Sequence, residues 1–383
     1  MLKEYKPSEI EFLKVHGRTT AKKDPLNLYW TGSGIEMNVK AFEVRIRYHA
    51  DYVAFEPWID VVIGGVRFQK LPLEKGTHEI SIWRGSMFTP AKDVPVRNIK
   101  IIRDTPAMPG DPNTLVQIEA IITDGTFEKV EEPKLRIEFI GDSITSGEGG
   151  MGPVTEQDWV SGIFDAVNNY GYLTAEALGA DYESFSQSGF GYMWNWYGNQ
   201  NDSLPKYYDQ ICGLLPKGKA ADTGALEPYN FSDFVPDFVV INLGTNDVGA
   251  YSENGHESAK AMKFENKHVL DENGAIPSED VEVLRKGAID FITHIREKRP
   301  NAKILWVYGM LLQNSEVLDK QMPEILSGAV DDYVKASGDE NVWYFQLPVT
   351  LEGEFGAKFH PGLPAHKKAA EALAEKITEL RNL

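Results

Sequence analysis

Cysteine is almost absent. Cys212 is the only one in 383 residues, so no intrachain disulfide, cysteine-based zinc site or iron–sulfur cluster is available. Long apolar runs are missing too. None approaches the roughly 20 residues of a membrane span, and the amino-terminal stretch MLKEYKPSEIEFLKV has no apolar core of the kind a signal peptide carries. Together these absences predict a cytoplasmic protein. Positive charge is scarce, with Lys+Arg 39 against Asp+Glu 57 and a formal net charge of −18. Such a surface repels phosphate backbones and anionic lipid, which argues against nucleic-acid and membrane partners and for a neutral or cationic small substrate. There is no internal repeat and no low-complexity tract.

The composition that remains is globular, with 42% hydrophobic and 25% charged residues. The length exceeds the roughly 250–300 residues that one core usually serves, so two domains are expected. Their periodicities differ. Phe42, Val44, Ile46 and Tyr48 alternate with Glu43, Arg45 and Arg47, the period of a half-buried strand. Trp58 to Ile63, His78 to Trp83, Asn98 to Arg103 and Leu115 to Ile122 read as further strands, punctuated by Gly64-Gly65, Pro72, Gly76 and the Pro106 to Asn113 stretch. Residues 1–125 are therefore expected to form an all-β sandwich of jelly-roll type. The polar, proline-ended run up to Lys134 makes 126–134 a linker.

From 135 to 383 apolar strands alternate with amphipathic helices. Leu135 to Ile140, Phe238 to Leu243 and Lys303 to Tyr308 read as buried parallel strands. Val281, Leu284, Ala288, Phe291, Ile292 and Ile295 share one face of a helix opened by Ser278; Ala369, Leu373, Ile377 and Leu380 do so in a terminal helix. The alternation predicts a flavodoxin-like parallel sheet with helices on both faces. Two long interruptions, 194–234 and 250–277, are placed to border a ligand crevice.

Four short pieces hold candidate chemistry. Ser143, in Gly141-Asp142-Ser143, follows a strand and reads as a helix cap or as a nucleophile. Asn246, in Gly244-Thr245-Asn246-Asp247, also follows a strand; its amide suits a developing oxyanion, or an Asx turn. Gly189, in Ser188-Gly189-Phe190-Gly191, allows close backbone approach with a free N–H, or a plain turn. His360-Pro361 offers a general base held by extended backbone, or a solvated histidine. Trp194 and Trp196 read either as a sugar-stacking platform or as core. Gly147 to Gly150 lacks the Lys-Ser/Thr of a phosphate loop, and the histidines show no metal-binding spacing. His366 reads as a solvated helix residue, and Cys212 as an apolar filler.

The order Ser143, Gly189, Asn246, His360, with serine and asparagine at strand ends, resembles the SGNH (GDSL-type) hydrolases from about Leu135 onward. With a β-sandwich ahead of it, the chain resembles carbohydrate esterase family 2, the acetyl-xylan esterases. Asn169-Tyr170-Gly171-Tyr172-Leu173-Thr174-Ala175, Leu178 to Tyr182, Gly17-Arg18, Leu28-Tyr29-Trp30 and Gly34-Ile35-Glu36 are similar to that family. The resemblance implies Ser143 as nucleophile and His360 as base. It implies an oxyanion hole from Ser143 N–H, Gly189 N–H and the Asn246 amide, with no metal or cofactor. The implied substrate is an acetylated xylo- or other hemicellulose-derived oligosaccharide, and Trp194 and Trp196 are its candidate contacts. Such enzymes usually carry Asp three positions before the histidine. Here that residue is Ala357, as in family 2 members that work as Ser–His dyads. A backbone carbonyl is then expected to orient the imidazole, in preference to Glu352 or Glu354. A lipase or thioesterase of the same fold and a non-catalytic sugar-binding protein are the alternatives. Homo-oligomerisation through an edge of the β domain stays open.

Overall fold

The computed structural model describes residues 1–86, 88–90 and 93–382. The chain divides into two compact units. The first holds two antiparallel sheets. One is ordered β1 (Lys3–Tyr5), β10 (Leu115–Thr123), β5 (Glu43–Asp51), β8 (Gly76–Arg84), with β3 (Leu26–Asn27) also on β10. The other is ordered β11 (Thr126–Glu128), β4 (Gly34–Lys40), β9 (Arg97–Arg103), β6 (Trp58–Ile63), β7 (Val66–Pro72), with β2 (Lys14–His16) on β4. Val44, Ile46 and Tyr48 of β5 and Val116 and Ile118 of β10 share one core with Ile35, Met37 and Val39 of β4, Ile59 and Val61 of β6, and Ile99 and Ile101 of β9. Two inner faces interdigitating in this way make a β-sandwich, and in β5 the inner face is the one that the two-residue alternation marked.

Two findings depart from the sequence reading. Strand β11 lies inside the expected linker, pairing Phe127 with Val39. One aromatic in a polar run was enough, because Phe127 packs on the sandwich core and edge-on to Tyr5 at 5.3 Å between ring centroids. The first unit also takes two segments from later in the chain, Trp159–Val167 and Asp209–Tyr229. Arg67 grips both oxygens of Asp165 at 2.6 and 2.7 Å, and Asp104 accepts the Ala166 N–H at 2.7 Å. Trp30 Nε1–H donates to Ile211 O at 2.6 Å, and Tyr29 OH to Thr223 O at 2.9 Å.

The second unit is a parallel sheet ordered β13 (Asp181–Ser186), β12 (Arg136–Gly141), β14 (Phe238–Asn242), β15 (Lys303–Tyr308), β16 (Val342–Gln346), flanked by helices on both faces. This is the 2-1-3-4-5 order of a doubly wound sheet. Its direction of winding reverses between β12 and β14, where ligand crevices form beyond the strand ends. Helix α2 (Tyr170–Leu178) packs on α8 (Leu363–Arg381), and α6 (Ser278–Lys298) on α7 (Glu316–Ser337). In α6, which Ser278 opens as expected after Pro277 at the cap, Leu284, Ala288, Phe291, Ile292 and Ile295 are buried as expected and Val281 is half-buried. Strand β13 escaped the sequence reading because DYESFS looks polar, yet all six residues are buried. Glu183 lies 3.8 Å from the buried Arg299, and the Ser184 and Ser186 hydroxyls bond each other at 3.0 Å. Among the described residues no helix is long and apolar enough to cross a membrane.

Candidate active site

The reversal point of the sheet puts the ends of β12 and β14 side by side. Strand β12 ends at Gly141, and Asp142 caps the short helix α1 (Ser143–Ser146), its Oδ1 accepting the Ile144 N–H at 3.0 Å. Asp142 therefore does the capping that the sequence left open to Ser143, and the serine hydroxyl is free for another partner. That partner is His360, whose Nε2 lies 3.0 Å from Ser143 Oγ although the two are 217 positions apart.

The imidazole is held from its other side. His360 Nδ1 is 3.2 Å from the carbonyl oxygen of Lys358. A carbonyl only accepts, so the ring proton sits on Nδ1 and Nε2 is left as the acceptor for the serine O–H. The turn that aims this carbonyl is unusual, with Lys358 and Phe359 both at φ 54. It is clamped by the loop after the serine: Gly149 O accepts the Ala357 N–H at 3.1 Å, and Glu156 O accepts the Lys358 N–H at 2.8 Å. Gly149 has φ +77, and a Cβ there would stand 2.5 Å from both His360 Cβ and Ala357 O. Neither nearby acid substitutes for the missing aspartate. Glu354 pairs with Lys368 at 2.6 Å and accepts the Leu351 N–H at 2.8 Å, contacts that hold its carboxyl below the usual range, while Glu352 is exposed.

Asn246 is the second residue of the short helix α4 (Thr245–Gly249) beyond β14. Its side chain closes no local turn. Nδ2 lies 3.2 Å from Asp142 Oδ2 and 3.1 Å from Phe190 O. Next to it, the Asp247 carboxylate accepts the backbone N–H groups of Tyr192, Met193 and Trp194 at 3.0, 2.8 and 3.3 Å. Asn246 and Asp247 thus pin the loop that carries Gly189, whose φ of +80 suits glycine. Gly189 O accepts the Trp196 N–H at 3.0 Å. Burial pushes both acids up to about 7. Asp142 is raised further by the charges of Asp247 and Glu148 and held back by the Ile144 N–H; Asp247 is held back by the loop N–H groups.

The two tryptophans separate. Trp194 is 1% exposed, donates through Nε1–H to Asp247 O at 2.8 Å and stacks on His268 at 4.0 Å, so it is core and cannot stack on a sugar. Trp196 is 39% exposed, and its Cδ1 lies 3.0 Å from where a Gly189 Cβ would be. His366 is not solvated but fully buried: its helix position shares a face with Ala369, Ala370 and Leu373. Its Nδ1 accepts the Tyr170 N–H at 3.1 Å, its ring lies parallel to that of Tyr170, and burial followed by the nearby His360 lowers it to about 3. Cys212 is buried in the β unit, and burial raises its thiol to about 12.

Sequence reasoning missed Asp142, Asp247 and Gly149; it expected a backbone carbonyl on His360 without saying which, and the structure supplies that of Lys358. The two acids sit beside Ser143 and Asn246, which was a readable signal; a backbone carbonyl leaves none. Among the described residues, the acidic side chains close enough to share an ion are Asp60, Asp104 and Asp165 in the β unit. Lys70 lies 2.6 Å from Asp104 and Arg67 2.6 Å from Asp165, and burial together with the charge of Asp104 raises Asp60 well above the usual carboxylate range, so the third carboxyl is met by a proton.

A family model described as the GDSL-like lipase/acylhydrolase family matches residues 139–368. Among solved structures, the chain is similar to an acetyl xylan esterase from the rumen bacterium Butyrivibrio proteoclasticus, at 31% identity and a TM-score of 0.89 over 99% of this chain and 98% of that one. It shares the fold of a family two carbohydrate esterase from Clostridium thermocellum in complex with cellohexaose, at 23% identity and a TM-score of 0.77 over 96% of this chain and 98% of that one. Among curated proteins it is similar to a cellulase/esterase of Acetivibrio thermocellus, 23% identical over 91% of this chain and 37% of that protein. An acetylxylan esterase / glucomannan deacetylase of Cellvibrio japonicus is 32% identical over 30% of each. The chain spans about a third of the length of these curated relatives.

Proposed function

The chain belongs to the GDSL-like lipase/acylhydrolase family, and from that premise we propose that it is a serine esterase removing acetyl groups from xylo- or other hemicellulose-derived oligosaccharides. One observation carries the reading: His360 Nε2 faces Ser143 Oγ at 3.0 Å while its other nitrogen is held by a carbonyl. In this reading Ser143 Oγ attacks the acetyl carbonyl as His360 takes its proton. The tetrahedral oxyanion is met by Ser143 N–H, Gly189 N–H and the Asn246 amide. His360 then returns the proton to the leaving sugar hydroxyl, and water repeats the cycle on the acetyl-enzyme. The imidazolium that forms in each half-reaction is stabilised by the Lys358 carbonyl dipole rather than by a full charge.

The sugar class rests on likeness to an acetyl xylan esterase along nearly the whole of both chains. Trp196 is the exposed aromatic next to Gly189 and suits a pyranose face. The β unit supplies neither nucleophile nor base. Mass spectrometry of acetylated xylo- and manno-oligosaccharides before and after incubation tests the reading, with p-nitrophenyl acetate and butyrate as simple esters. Wild type should release acetate, activity should fall sharply beyond short acyl chains, and Ser143→Ala should abolish turnover with the fold intact. Retention of more than a few per cent of turnover in that variant removes Ser143 as nucleophile. Equal activity on long acyl esters favours a lipase or thioesterase instead.

A further inference from the structure

Asp142 has no part in the chemistry just described, yet its two carboxylate oxygens serve two different elements. It is fully buried. Oδ1 accepts the Ile144 N–H at 3.0 Å and so caps the helix that bears Ser143, while Oδ2 faces Asn246 Nδ2 at 3.2 Å. The same amide nitrogen lies 3.1 Å from the carbonyl oxygen of Phe190, the residue after Gly189. A side-chain amide has a donor end and an acceptor end of nearly equal shape, and its neighbours decide which end faces them. Both neighbours here are acceptors. Turning the amide over would set its oxygen against a carboxylate oxygen and a carbonyl oxygen, with both contacts repulsive in a buried site.

We propose that Asp142 is a positioning residue for the oxyanion hole: with the Phe190 carbonyl it locks the Asn246 amide nitrogen between the neighbours of Ser143 and Gly189. The inference rests on the reading of Asn246 as an oxyanion donor. Asp142 does this with Oδ2 as an acceptor; a proton on that oxygen would offer an O–H that selects the amide oxygen and so the opposite orientation. Asp247 completes the arrangement from below, since its three backbone contacts set the loop that presents both Phe190 O and Gly189. In the resting site both hydrogens of the Asn246 amide are engaged, so a developing oxyanion shares one of them rather than meeting a free donor. The carboxylate contact also polarises that amide and strengthens the donor it shares.

A double-mutant cycle on p-nitrophenyl acetate, with methylboronic acid as a probe that forms a tetrahedral adduct on Ser143, tests this. Loss of a whole oxyanion donor costs on the order of 10²–10³ in kcat, so Asp142→Asn should lower kcat by about 10- to 100-fold while KM stays within about three-fold. Binding of the boronate should weaken in parallel. In an Asn246→Ala background the same substitution should change kcat by less than about three-fold, because the group it positions is gone. Asp142→Ser keeps an oxygen to cap Ile144 while withdrawing the acceptor from Asn246, and should behave likewise with an unchanged melting temperature. Equal losses in both backgrounds, or an effect on KM alone, overturn the proposal. If neither variant folds, Asp142 serves the helix cap and the proposal falls. Failure of the underlying reading is separate: there, Asn246→Ala itself leaves kcat intact.

Discussion

His360 and Lys358 are two positions apart, and the imidazole Nδ1 of one lies 3.2 Å from the carbonyl oxygen of the other. With both Lys358 and Phe359 at φ 54, the backbone doubles back far enough for a residue to hold its near neighbour's ring. This accounts for a histidine working with Ala357 at the position where a triad acid usually stands. The carbonyl sets tautomer and orientation, which are most of what the acid contributes before the imidazolium forms.

If that carbonyl suffices, no displaced carboxylate is needed. Glu352→Gln and Glu354→Gln should each change kcat/KM by only a few-fold, whereas loss of a true triad acid costs on the order of 10⁴. A drop of three orders of magnitude in steady-state assays of either variant would restore a triad.

Gly149 is the tightest point of the clamp on the histidine turn. A Cβ there would meet His360 Cβ and Ala357 O at 2.5 Å, on a backbone at φ +77. Gly149→Ala should therefore displace the imidazole and lower kcat/KM by roughly 10²-fold, the cost of a misplacement near 1 Å. It should also lower the melting temperature, since a side chain in the left-handed region costs about 1–2 kcal/mol. Unchanged kinetics would mean that the turn yields without moving His360.

The two tryptophans should give opposite phenotypes. Trp194→Ala removes a buried ring and should cost about 3–5 kcal/mol of stability in denaturant unfolding. Trp196→Ala should leave stability nearly unchanged and raise KM for oligosaccharides more than for p-nitrophenyl acetate, because only the sugar gains from an exposed aromatic face. Equal KM effects on both substrates would remove Trp196 as a sugar contact.

His366 makes stability depend on pH. The folded state holds it at about 3 against an ordinary value of 6.5, so below pH 6.5 the unfolded chain takes up a proton that the fold refuses. Its contribution is present above pH 6.5 and is lost as pH falls toward 3, by up to about 1.4 kcal/mol per pH unit. Asp142 and Asp247, raised to about 7, act with the opposite sign: their contribution is lost as pH rises through 7. Comparison with His366→Asn, which keeps an acceptor for the Tyr170 N–H, cancels these shared terms. The stability difference between wild type and variant should shrink by about 2 kcal/mol from pH 7 to 5. A constant difference would mean that the ring is solvated and titrates in the fold as it does in the unfolded chain, and a growing one that the fold favours its charged form.

Local pattern alone determined a good deal of this protein. The alternation of β5, the apolar runs of β12, β14 and β15, and the inward face of α8 are properties of neighbours in sequence, and each was legible there. Ser143 and Asn246 stood out there as polar residues just beyond buried strands, but a cap and an Asx turn were equally open to a local reading. What only the tertiary structure decided are the cases in which residues of one type meet different surroundings. Trp194 and Trp196 are two positions apart, but Asp247 and His268 bury the first and leave the second open. His366 looked like any histidine on an amphipathic helix until Tyr170 was brought against it from 196 positions away. The polar strand β13 is buried through its pairing with β12, which brings Glu183 to 3.8 Å from the distant Arg299. The partner of His360 is a backbone carbonyl, a group every residue has, and only the path of the chain could choose which one.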